Sequence, residues 1–366
     1  MFVILVALAL LLIVPGLILY GHVIFRRGAK IFFPKWQKTA KILAWALTVG
    51  YAAALVCIFN VSAIFALYFA LFSALTDGIY LLIRLMIKSP KLLSGAKKLL
   101  HSGILPLGVT CVILIVGAVK MFFPVTAEYR LSSPKTKESF TVVFISDTHF
   151  GTIQRPSVLE ESCKKLNAME PDALILGGDI VEEGTSREEL TRAFEILGSV
   201  NAKYGVYYVF GNHDRATYSP SADFGEAELL AAIEAAGITV LRDSSVSLPC
   251  GVSIVGREDA SVSSRADISS LVAPLPKEDL IIVADHQPRD GEACAAAGVD
   301  LVLSGHTHGG QIWPLRWFFR LVNSPVYGEY DYGECKMIVS SGFTGWGYPV
   351  RTQGRCEAVV VSVRPE

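Results

Sequence analysis

Acidic side chains are almost missing from the first third of the chain. Residues 1–124 hold 12 Lys and Arg but one acid, Asp77, whereas residues 125–366 hold 21 basic and 33 acidic residues. The near-neutral total of 33 basic and 34 acidic residues therefore conceals parts of about +11 and −12, which implies two physical environments. Charge of either sign is scarce, at 18% of residues against 52% hydrophobic, with a mean hydropathy of +0.44. Such a composition excludes a disordered chain, a collagen-like chain and a plain cytosolic enzyme. No C-x-x-C pair occurs among the seven cysteines (Cys57, Cys111, Cys163, Cys250, Cys294, Cys335 and Cys356), which argues against a zinc ribbon and a dense disulfide framework. Five of the seven lie in the acidic part, where packed free thiols compete with one or two bridges. Internal repeats and low-complexity tracts are also lacking.

What the basic part does have is apolar length. Residues 2–21 form an uncharged run of about the twenty residues needed to cross a hydrocarbon core. A cleaved signal peptide is the competing reading, weakened by the missing basic stretch before the run and by the lack of a small-x-small site before Arg26-Arg27. From Ile42 to Ile83 only Asp77 is charged, and one helix of that length is about twice the bilayer thickness. The run must fold back, and Asn60-Val61-Ser62 is the polar break. Four spanning helices are expected, near 2–21, 42–59, 63–83 and 103–119. The first loop carries Arg26, Arg27, Lys30, Lys35, Lys38 and Lys41, the third Arg84, Lys88, Lys91, Lys97 and Lys98, and the second no basic residue. With four helices the positive-inside rule retains both basic loops in the cytoplasm and leaves everything after residue 124 outside it. Asp77 is read either as a functional intramembrane charge or as part of an irregular bend at Asp77-Gly78.

After a polar linker, short β-branched runs alternate with helical spacing, the pattern of an α/β sheet domain. Strands are expected at 140–146, 173–176, 206–210, 252–255, 280–284, 301–303, 337–340 and 358–363, with amphipathic helices at 186–200 and 226–236. Polar motifs follow five of these strands: Asp147-Thr148-His149, Gly177-Gly178-Asp179, Gly211-Asn212-His213-Asp214, Asp285-His286 and Gly305-His306-Thr307-His308. Ligands of open α/β sheets collect at such strand ends. All five histidines of the acidic part fall in these motifs, alongside Asp147, Asp179 and Asn212. Mixed carboxylate, amide and imidazole ligands suit Mn, Fe or Zn, and seven of them exceed one tetrahedral site.

These motifs resemble, in order and over roughly residues 141–310, the five of the calcineurin-like metallophosphoesterases, and the run Gly309-Gly310-Gln311 with Ser341-Gly342-Phe343 and Pro349-Val350-Arg351 resembles their bacterial membrane-associated phosphodiesterase branch. The resemblance implies a four-layer α/β/β/α sandwich over 140–366, joined by a linker at 125–139 to a transmembrane α-helical bundle at 1–124. It also implies that Asp147, His149 and His308 hold one divalent ion, that Asn212, His286 and His306 hold a second, and that Asp179 bridges them. The family's second motif ends in Asp where this chain has Glu182, a longer arm for the same supporting role. Two adjacent cations activate a bridging hydroxide for in-line attack on phosphorus, with His213 as general acid and Asp214 orienting its ring; bracing of the loop is the alternative for that pair. Gln311, Tyr348 and Arg351 are weaker candidates for substrate contact. Trp313, Trp317, Phe318 and Phe319 with Arg316 and Arg320 form an aromatic, basic segment that either rests on a membrane interface or packs as a core helix.

The expected function is a phosphodiesterase of the cell membrane that acts outside the cytoplasm on a lipid or lipid-linked phosphoester, with the bilayer as partner and the oligomeric state open. A domain of −12 offers no basic stripe for nucleic acid. A catalytically silent membrane sensor or scaffold and a protein phosphatase are the alternatives.

Overall fold

The computed structural model describes residues 2–57, 60–321 and 325–366, with side chains from Ile13 onward. Two compact units divide it, residues 1–116 and 117–366. In chain order the elements are α1 (Phe2–Phe32), α2 (Gln37–Val56), α3 (Val61–Met86), α4 (Pro90–Leu100), α5 (Ile104–Lys120), β1 (Val125–Ser133), β2 (Phe140–Ile145), α6 (Pro156–Asn167), β3 (Ala173–Leu176), α7 (Arg187–Gly198), β4 (Val206–Tyr208), α8 (Glu226–Ala235), β5 (Thr239–Val240), β6 (Ser244–Leu248), β7 (Val252–Gly256), α9 (Ile268–Val272), β8 (Leu280–Ala284), α10 (Gly291–Ala296), β9 (Leu301–Ser304), α11 (Leu315–Leu321), β10 (Gly328–Tyr332), β11 (Cys335–Val339) and β12 (Glu357–Pro365).

In the first unit, α2, α3 and the stretch Pro90–Lys120 are long and apolar enough to cross a membrane. The last comprises α4 and α5, divided where Gly103 takes a left-handed φ of +83°. α1 adds a helix of 31 residues, most of the expected first run having side chains outside the description. The expected turn is set by Asn60, whose side chain accepts from the Ser62 amide at the start of α3, while Ile58 and Phe59 lie outside the described residues. The third loop contains the unforeseen amphipathic helix α4. The bend expected at Asp77-Gly78 is corrected, because α3 runs through it unbroken. Asp77 is tolerated there since Arg27 of α1 grips it bidentately at 2.9 and 2.8 Å and the Tyr20 hydroxyl donates to it at 2.9 Å, leaving no isolated charge.

The second unit has four layers. One sheet runs β1-β12-β2-β3-β4-β5 and the other β10-β11-β9-β8-β7-β6, each built on four adjacent parallel strands, β2-β3-β4-β5 and β7-β8-β9-β11. The strand sequences explain the stacking: β3 (ALIL) and β8 (LIIVA) are buried at every position, the mark of strands covered on both faces. With a period of two, Leu280, Ile282 and Ala284 point between the sheets with Phe144, Ile175, Leu303 and Val359, and Ile281 and Val283 point toward α9 and α10. On the other outer face α6, α7 and α8 cover β2, β3 and β4 through Leu159, Phe194, Leu197, Leu229 and Ile233. α7 opens on a capping box between Ser186 and Glu189, which satisfies two orphan amides reciprocally.

The linker expected at 125–139 is corrected: residues 125–133 form β1, in register with β12 from Val125↔Glu357 to Ser133↔Pro365. Its alternation of half-buried and exposed residues is that of an edge strand. All seven cysteines are free thiols. Ile282→Ala, which empties a fully buried site between the sheets, is expected to cost about 2–5 kcal/mol. It should lower the melting temperature of the purified chain by ~2–4 °C per kcal/mol, read by thermal unfolding in detergent.

Candidate metal centre

The five polar motifs stand just beyond the carboxyl ends of β2, β3, β4, β8 and β9, so parallel strands of both sheets deliver them to one edge. Asp147, His149 and His308 bring one ligand atom each within 4.8 Å of one another, and Asp179, His286 and His306 do the same. Asp179 Oδ2 belongs to both neighbourhoods, 3.0 Å from His286 Nε2 and 4.0 Å from His149 Nε2. The rings of His149 and His308 lie 5.2 Å apart and those of His286 and His306 5.1 Å apart.

Each buried ring is held by its Nδ1. His286 Nδ1 lies 2.8 Å from the Gly177 carbonyl, His308 Nδ1 3.2 Å from the Thr344 carbonyl, and His149 Nδ1 2.8 Å from Glu182. A proton held on Nδ1 leaves Nε2 as a lone pair, the tautomer that a metal ligand requires. His149 Nε2, His286 Nε2 and Asn212 Oδ1 are all buried without a hydrogen-bond partner. Buried polar atoms are seldom left so, and a divalent cation in each cluster would satisfy them. The donor set of two carboxylates, an amide oxygen and four imidazoles thus fits two divalent ions.

Burial lowers His149 and His286, but Glu182 and Asp179 outweigh it for His149 and Asp179 for His286, carrying both rings above the ordinary imidazole value. Burial by itself raises the Asp147 and Asp179 carboxyls, but His308 and His286 outweigh it for Asp147, and His286 and His149 for Asp179, holding both acids below the usual carboxylate range. Burial, with His286 adding to it, brings His306 down to about 4, and burial brings His308 down to about 3.

The backbone at this edge is strained. Asp147, His149, Asp179, His306 and His308 all have positive φ, from +39° to +69°, where side chains other than Gly cost on the order of 1–3 kcal/mol each. The glycines beside them permit the crowding. Gly178 is itself left-handed at φ +82° and a Cβ there would strike the Gly211 backbone, while a Cβ on Gly305 would strike the Asp147 carboxylate.

Two buried charges brace these loops, and both correct an expectation. Asp214 does not orient the His213 ring: it accepts the amides of Gly211 at 2.6 Å, Asp179 and Ile180 at 2.8 Å and Val181 at 3.3 Å. Burial, with the nearby Asp179 charge, pushes its carboxyl up to about 6 against the pull of those amides. Arg351 is fully buried and does not face a substrate: it donates to the carbonyls of His308 at 2.8 Å, Ser341 at 2.8 Å and Thr344 at 2.7 Å. Gln311 is likewise a brace, donating to the carbonyls of Tyr348 and Val350 and accepting from the Trp346 amide.

The ring of His213 is instead held by Glu183, 2.9 Å from Nδ1, and stands between Tyr218 and Trp346 at 5.1 and 5.3 Å. Burial pulls its pKa down, but Glu183 and the neighbouring carboxylates carry it above the ordinary value. Glu183 is the site residue that sequence reasoning missed, although it adjoins Glu182 four positions beyond Asp179. A cavity of about 440 Å³ opens beside His306 and His308, walled by Ile312, Leu315, Phe319, Val326, Trp346 and Tyr348. Tyr348 lines this cavity, while residues 315–321 of the aromatic segment form α11, in which no residue is buried; the core-helix reading is excluded.

Comparison with known proteins gives one family over this region: the calcineurin-like phosphoesterase family model matches residues 140–310. An uncharacterized metallophosphoesterase of Campylobacter jejuni is 28% identical over 296 residues, 79% of this chain and 76% of its own. One from Helicobacter pylori is 27% identical over 64% of this chain and 65% of its own. A zebrafish transmembrane protein with a metallophosphoesterase domain is 29% identical over 69% of this chain and 61% of its own. The chain thus spans less than two thirds of the latter two relatives.

Glu182→Ala, which frees the Nδ1 side of His149, is expected to weaken metal binding about 10–100-fold, measured by titration of metal-depleted protein. Arg351→Ala strands three buried carbonyls at about 1–3 kcal/mol each and should lower the melting temperature sharply; an unchanged melting temperature with a raised KM would return Arg351 to the substrate.

Proposed function

We propose that this chain, a member of the calcineurin-like phosphoesterases through residues 140–310, is a membrane-bound phosphodiesterase that hydrolyses a lipid or lipid-linked phosphoester. The observation that carries the proposal is the buried pair of ligand clusters with Asp179 near both, His213 beside His149, and an apolar cavity lined by His306 and His308, with Trp346 bordering both His213 and the cavity. Asp147, His149 and His308 would hold one divalent ion and Asn212, His286 and His306 a second, with Asp179 within reach of both groups. Two such ions supply Lewis acidity at the phosphoryl oxygens and make water a nucleophile at neutral pH.

The protein's own part is to position and to transfer a proton. Glu183 keeps the Nδ1 proton of His213, so Nε2 presents the second proton to the leaving oxygen. Water loses a proton to solvent as it adds to phosphorus, the P–O bond to the leaving group breaks, and the alcohol departs with the proton from His213, which regains one from solvent; the products are a phosphomonoester and an alcohol. Tyr218 and Trp346 flank the ring and limit its reorientation. A diester carries two organic substituents, and with one departing beside His213 the other is accommodated by the apolar cavity. This favours a diester with an apolar group over a small monoester.

The catalytic unit faces away from the cytoplasm in this proposal. Support comes from the two basic connections, Arg26–Lys41 and Arg84–Lys98, which flank α2 and α3 while the turn between those helices has no Lys or Arg. The setting is the cell membrane.

Removal of divalent ions by a chelator is expected to abolish hydrolysis of bis(p-nitrophenyl) phosphate, and manganese to restore it. His213→Ala should lower kcat about 10²–10⁴-fold with two ions per chain retained by elemental analysis, and Glu183→Gln by a smaller factor. Full metal occupancy with no turnover of diester, monoester or lipid phosphate by the unaltered chain would leave a metal-binding scaffold.

A further inference from the structure

We propose that α11 lies in the bilayer interface and that a membrane-resident phosphoester reaches the metal clusters past it. The inference rests on the phosphoesterase reading and adds the route by which its substrate arrives.

α11 is LRWFFRL, and five of its seven side chains are large and apolar. Trp317, Phe318 and Leu321 are 61%, 60% and 80% exposed. At 100° per residue, Leu315 and Phe319 share one face, the one that walls the cavity beside His306 and His308. Trp317 and Leu321 share the opposite face, and Arg316 and Arg320 form a narrow stripe between. Apolar burial does not hold the helix in place. Arg316 does, by donating from Nε to the Gly309 carbonyl at 2.7 Å and lying 4.3 Å over the Tyr327 ring. Because Gly309 follows His308, this contact ties the helix to the metal loop.

An apolar helix with two arginines and no acid suits the headgroup boundary, where aromatic rings enter the acyl edge and arginines extend to lipid phosphates. Its charge is opposite to that of the acidic part of the chain, which totals −12 over residues 125–366, and it complements an anionic lipid surface. The bilayer is also the apolar phase that the chain's own spanning helices keep at hand. With the outer face in lipid, Leu315 and Phe319 form the wall along which an acyl or polyprenyl chain passes into the cavity while its phosphoester stays at the metal edge.

The test places a nitroxide at residue 318 (Phe318→Cys) of the full chain in nanodiscs containing phosphatidylglycerol. Cys57, Cys111 and Cys250 are changed to Ser, so that the remaining thiols are the buried ones. The label should sit ~5–10 Å into the boundary and collide with a water-soluble nickel chelate roughly tenfold less often than the same label at Glu195→Cys on exposed α7. Leu321→Cys should behave as Phe318→Cys does, which guards against local distortion at one position. Equal chelate access at 318, 321 and 195 would overturn the inference, as would strong dipolar broadening that pairs α11 with a second copy. Deep labels in a chain that hydrolyses no phosphodiester would sink only the activity; water-exposed labels in an active chain would sink only the route.

Discussion

Asp214 and Arg351 are the constraint on which the metal edge depends. One buried carboxylate gathers four amides from the turns after β3 and β4. One buried guanidinium gathers three carbonyls from the turns after β9 and β11. Five ligand residues hold left-handed backbone conformations that each cost free energy, and such conformations persist only where surrounding contacts over-determine them. Charge-assisted hydrogen bonds are about twice as strong as neutral ones, which is why a carboxylate and a guanidinium, rather than an amide and a hydroxyl, occupy these positions.

The sheets and the braces divide the work. Parallel strands buried on both faces fix where each loop begins, and their apolar side chains leave the loops as the place for polar chemistry. The braces then fix where each loop goes. Between them, His149, His286 and His308 have their Nδ1 sides committed to Glu182, Gly177 and Thr344, so the three rings are oriented by the protein's own contacts. This is preorganisation in the ordinary electrostatic sense.

Most of this was legible in the sequence, for identifiable reasons. Buried parallel strands such as 173–176 and 280–284 are unbroken apolar runs bounded by glycine or charge, and the observed bounds coincide with the expected ones. The strand-end motifs were readable because histidine is rare and all five copies of this part fall there. β1 escaped because an edge strand alternates polar and apolar residues and its partner, β12, lies more than 220 positions away. The roles of Asp214, Arg351 and Gln311 escaped for another reason: composition reveals a polar residue but not whether it looks inward at backbone or outward at solvent. Glu183 was hidden by its neighbour, since two adjacent glutamates on a loop point in different directions and only coordinates say which ring each one meets.

The position of β12 has a consequence for how the chain is made. It lies between β1 and β2 in the first sheet, paired to both, yet it follows every other strand in synthesis. Until it leaves the ribosome, β1 and β2 each present an open edge, and the four-layer unit cannot close however complete its other parts are. Loop closure on that scale is slow, and exposed strand edges are prone to wrong pairing. Closure of the unit therefore waits on the last of its strands in sequence, whatever state the helices that precede β1 have reached.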